Sequence, residues 1–92
     1  MATFPKDTHP ESWHRFFAIE SNNKAWALAE ERTNNANDAE LLEVANASAW
    51  HWQAVGTPLQ KMRAKMLLAN VHALLGNGKI ALAYATEMQN YF

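Results

Sequence analysis

The last third of the chain, RAKMLLANVHALLGNGKIALAYATEMQNYF from Arg63 to Phe92, constrains the fold most. Apolar residues recur there every three or four positions on both sides of Leu75-Gly76-Asn77-Gly78. That pattern fits two amphipathic helices hinged at a glycine turn, and a loop so short lays the second helix antiparallel against the first.

Similar punctuation divides the rest. Thr8-His9-Pro10-Glu11 has the form of a capping box with Pro in the first turn, so a first helix is expected over about residues 9–32, with Asn22-Asn23 loosening its middle. The cluster Thr33-Asn34-Asn35-Ala36-Asn37 reads as a loop, and Asn37 with Glu40 three residues on opens a second helix, about 38–55, that Gly56 stops. Thr57 before Pro58 caps a third, about 58–75; Gly76 ends it, and a fourth follows over about 78–91. No alternating β-branched run exists. The expected fold is therefore all-α, an antiparallel four-helix bundle of two hairpins in one domain spanning residues 1–92, since 92 residues supply a single core.

Within residues 63–92, Leu68, Ala69, Gly76 and Ala81 fall at the spacing of the Leu, small residue, turn Gly and small residue of a tetratricopeptide repeat, with His72 where a Tyr is usual and Ala85 where an aromatic is usual. The segment resembles one such repeat, which implies a tetratricopeptide-like C-terminal hairpin. Solenoids need about three stacked units to bury a continuous core, so two hairpins are expected to close into a compact bundle. The stretch HWQAVGTPLQKMRAKMLLANVHALLG is also similar to small uncharacterised bacterial helical proteins, a likeness that brings no function with it.

Winding each helix at about 100° per residue assigns the core. Helix one offers Trp13, Phe16, Phe17, Ala27 and Leu28, and helix two Leu41, Leu42, Ala45, Ala49 and Trp52. Helix three offers Leu59, Met62, Met66, Leu67, Ala73 and Leu74, and helix four Ile80, Ala81, Tyr84, Ala85, Met88 and Phe92. Polar residues interrupt two of these stripes: Glu20 and Asn23 on helix one, Arg63 and Asn70 on helix three. A buried charge needs a partner, and a guanidinium offers a carboxylate two parallel hydrogen bonds, so Glu20 is expected to pair with Arg63 inside the bundle. The alternative for this cluster is a polar pocket serving a small-molecule binder or enzyme. Trp50 and Leu68 project opposite the core stripes and Trp26 lies at the edge of one, which makes these three the candidate interface residues.

Other chemistry is poorly supported. With no Cys there is no thiolate nucleophile and no disulfide. The one Glu-x-x-His, Glu11 to His14, lacks the second copy a di-iron bundle needs, and His51 and His72 lie at the outer edges of different helices. No phosphate loop, nucleophile elbow or paired-acid spacing occurs, so no catalytic residue, metal or cofactor is expected. Net charge is −1, against nucleic-acid binding, and no apolar run reaches the ~20 residues of a membrane span. A start without an apolar signal segment makes the cytoplasm the expected compartment. Charge is uneven along the chain: residues 1–56 carry a net −4 and residues 57–92 a net +3. The halves can cover each other within one bundle or across two copies. Together with Trp50 this points to a protein-interaction module with a protein partner, expected to form a homodimer.

Overall fold

Proline in the first turn, where its missing N–H costs nothing, and small or polar punctuation elsewhere set the helix limits. The computed structural model, which describes residues 3–91, has four helices: α1 (Pro10–Glu30), α2 (Asp38–Val55), α3 (Pro58–Leu74) and α4 (Gly78–Tyr91). It is an all-α helical bundle. Helix α1 runs unbroken through Asn22-Asn23.

Two expected caps form and two do not. At α3, Thr57 Oγ1 accepts from the Gln60 N–H and Gln60 Oε1 accepts from the Thr57 N–H, a reciprocal capping box. After α3, Gly76 sits at φ 80°, the Asn77 N–H reaches the His72 carbonyl at 2.8 Å and the Gly76 N–H reaches that of Ala73 at 3.2 Å. This is the Schellman arrangement, and it needs the left-handed residue that glycine supplies. Thr8, by contrast, does not cap α1. The cap residue is His9, and the adjacent Asp7 carboxylate accepts from the His9 N–H at 2.9 Å and from the Ser12 hydroxyl at 3.2 Å, which holds that carboxyl below its ordinary range. Asn37 gives no side-chain cap to α2 either. Arg32 instead clips the loop by a two-pronged pair to Asp38, at 2.8 and 3.1 Å.

Helix α1 packs on α2, α2 on α3, and α3 on α4; α1 touches α3 slightly and α4 meets only α3. Contacts run in opposite chain directions within each hairpin, His14 against His51 with Arg32 against Asp38, and Lys65 against Glu87 with His72 against Tyr84, so both hairpins are antiparallel. The two hairpins pack on each other through α2 and α3, which share the larger part of the core, while the outer helices α1 and α4 do not meet. The molecule measures 40 × 33 × 15 Å, with α1 and α4 at opposite ends of the array.

The core lies in two patches. One comprises Ala25, Leu41, Ala45, Leu67, Leu68 and Val71; the other, Ala18, Trp52 and Ala64. Small residues on the facing sides of α1 and α2 permit close approach. Ser48 shares that seam, its hydroxyl enclosed and without a hydrogen-bond partner among the described residues. At the chain start Phe4 stacks on Phe16 at 4.8 Å and Trp13 meets Phe16 edge-on at 5.8 Å.

Several expected core positions are exposed: Phe17, Leu59, Met66, Leu74 and Ile80. Helix α3 is turned from the expected orientation, burying Ala64, Leu67, Leu68, Val71 and His72 between α2 and α4, so its bulkier Leu59–Met66 side faces outward. Phe92, expected in the core, lies outside the described residues.

Candidate interaction groove

Because α2 and α4 each pack on α3 and do not meet, a groove runs between them with α3 as its floor. It encloses about 650 Å³ and is open to solvent. Helix α2 contributes Glu43, Ala47 and Trp50, α3 contributes Lys61, Lys65 and Leu68, and α4 contributes Tyr84.

Trp50 stands at its rim, 65% exposed. It is nevertheless held. Its ring lies edge-on to His51 at 5.0 Å and 5.3 Å from His14, and Phe17 closes on His51 from the other side at 5.7 Å. The Nδ1 atoms of His14 and His51 are 2.9 Å apart. One ring must donate and the other accept, so the pair holds at most one imidazolium while that bond stands. Burial, and then the charge on His14, push His51 below its ordinary value of 6.5. The pair ties α1 to α2 directly beneath Trp50.

The opposite wall is stacked rather than interlocked. His72 is buried, contrary to its expected place at the outer edge of its helix, and lies parallel to Tyr84 at 5.9 Å. The Asn77 amide donates to its Nδ1 at 3.2 Å. Lys65 forms an ion pair with Glu87, while neither Lys61 nor Glu43 has an ion-pair partner among the described residues.

The four residues of the anticipated polar cluster differ in exposure. Asn23 and Arg63 face solvent, Asn70 is half-buried, and half-buried Glu20 borders a recess with Phe17, Lys24 and His51. The turn of α3 carries Arg63 to the surface, so Arg63 is not a buried charge that Glu20 must neutralise. Of the three candidate interface residues, only Trp50 is exposed. Leu68 is 3% exposed, a core residue that also floors the groove, and Trp26 is half-buried against the larger core patch. Sequence reasoning does not give the His14–His51 pair; the available signal is that His14 lies one turn before Phe17 and His51 directly follows Trp50 on the neighbouring helix.

No group of three or more His, Asp or Glu side chains among the described residues is placed to hold a metal ion, and no described helix is long and apolar enough to cross a membrane. No known protein family, curated protein or solved structure matches the chain.

Proposed function

We propose that this chain is a protein-interaction module whose groove between α2 and α4 receives a helix from a protein partner. The observation that carries the reading is Trp50, a large aromatic side chain left exposed and propped by the His14–His51 pair at the groove's edge. Exposed aromatic residues of fixed orientation lose little conformational freedom on docking and are enriched at interface centres. A helix laid over α3 would contact α2 and α4 together, the helix-in-groove mode of recognition. The tetratricopeptide-like reading of residues 63–92 accords with this use, since it concerns the hairpin that forms the floor and one wall. The competing reading, a small-molecule binder or enzyme built on Glu20, Asn23, Arg63 and Asn70, loses its ground because Asn23 and Arg63 are exposed.

A photo-crosslinking residue tests the proposal when placed at Ala47 in the groove and, in a second variant, at Arg63 on the outer side of α3. Capture of a discrete protein from Ala47 and not from Arg63 is expected. Equal labelling from both positions, or labelling from Arg63 alone, would sink the groove reading.

A further inference from the structure

The occupant can be inferred from how charge is arranged along the groove. Gly56 and Thr57 join α2 to α3, so the C-terminal end of α2 lies beside the first turn of α3. Lys61 is in that first turn, whereas Glu43 is in the N-terminal part of α2. Ten residues of helix separate Glu43 from the α2 position level with Lys61, about 15 Å at 1.5 Å per residue. The groove is thus positive at one end and negative at the other, and neither charge has an ion-pair partner among the described residues. Trp50 stands between the two ends.

Such a surface is complementary to itself when turned by a half rotation. We propose that the groove receives a second copy of this chain, the two copies related by a two-fold axis passing near Trp50, so that Glu43 of each faces Lys61 of the other. This rests on the reading of the groove as a protein-docking site and adds its occupant. Isologous contacts repeat every pairing twice, so one complementary pair of free charges supplies two interfacial pairs and fixes their relative direction. The axis that sets Glu43 against Lys61 runs across the groove, so the α2 walls of the two copies meet and the two Trp50 rings come together beside it.

Charge reversal tests this in a way that misfolding cannot imitate. The intact chain should sediment as a dimer at micromolar concentration. Glu43→Lys alone and Lys61→Glu alone each create two like-charged pairs, and each should weaken dimerisation by about tenfold or more. Mixing the two variants restores opposite signs in both pairs, so the mixture should form a heterodimer at concentrations where each variant alone is mostly monomeric. Two results overturn the proposal: an intact chain that is monomeric at high micromolar concentration, or a dimer indifferent to both reversals and dissociated instead by Met66→Glu on the outer face of α3. A monomer removes the second copy and leaves the crosslinking result at Ala47 to decide the groove for a different protein. Failure at Ala47 beside an intact dimer places self-association elsewhere on the molecule.

Discussion

The α1–α2 hairpin and helix α4 solve the same problem differently. Between α1 and α2 the contact is narrow and filled: Ala18 and Ala25 on one side and Leu41, Ala45, Ser48 and Trp52 on the other are buried. On α4, Ala81, Tyr84, Ala85 and Met88 are only half-buried and none of the described residues is fully enclosed. Both α1 and α4 are end helices, so position in the array does not set burial: α1 is sealed because Ala18 and Ala25 let α2 approach closely, while α4 packs on α3 with Tyr84 and Met88 left half-open. The difference also makes the groove asymmetric, with a firm α2 wall and a lightly held α4 wall drawn from the low-stability end of the molecule.

Truncation would test that contrast most severely. Leu41→Ala should cost about 2–5 kcal/mol in denaturant unfolding, because a fully buried Leu leaves a cavity. Ile80→Ala on α4 should cost under about 0.5 kcal/mol, as surface substitutions do. Equal losses would erase the distinction between the two regions. Next in size, Gly76→Ala should destabilise by about 1–2 kcal/mol from backbone strain alone, since the left-handed φ is unfavourable for alanine while the space around the added methyl is open. Hydrogen exchange sharpens this: the loss should appear first as faster exchange in α4.

A pH titration separates the hairpins again. His51 is pushed below its ordinary value of 6.5 by burial and by His14, so its contribution is fully present above about 6.5 and is lost as pH falls through its folded value. The melting temperature should therefore drop on acidification below about pH 6.5, and His51→Gln should flatten the drop. A slope unchanged in that variant assigns the acid sensitivity to other groups. The smallest expected effect belongs to Arg63→Ala. With its side chain in solvent, unfolding free energy should move by no more than about 0.5 kcal/mol. A loss of several kcal/mol would restore a buried ion pair to α3.

Helix limits were legible in the sequence because they depend on local chemistry: Pro10, Thr57 with Pro58, Gly56 and Gly76 act over three or four residues. At Gly56 the reason is close crowding, since an added Cβ would lie 2.6 Å from the Trp52 carbonyl oxygen. The face of α3 was not legible. A helical wheel weights Leu59, Met62, Met66 and Leu74 by bulk, but α3 is flanked on two sides, and Ala64, Val71 and His72 are what fit between α2 and α4. Once that face turns, Arg63 goes outward and Leu68 inward, the reverse of the orientation the wheel assigns them. Trp50 is exposed because a Trp opposite a seam formed by Leu41, Ala45 and Trp52 stays outside however α3 is turned.

The order of packing carries a consequence for how the chain reaches this structure. Almost every helix contact joins elements adjacent in sequence, the slight touch of α1 on α3 being the exception. Little loop closure must precede productive contact, and helical proteins of such low contact order fold in about microseconds to milliseconds. Each hairpin can form when its second helix is complete, without waiting for a distant segment, so assembly can advance from α1 toward α4 as the chain leaves the ribosome.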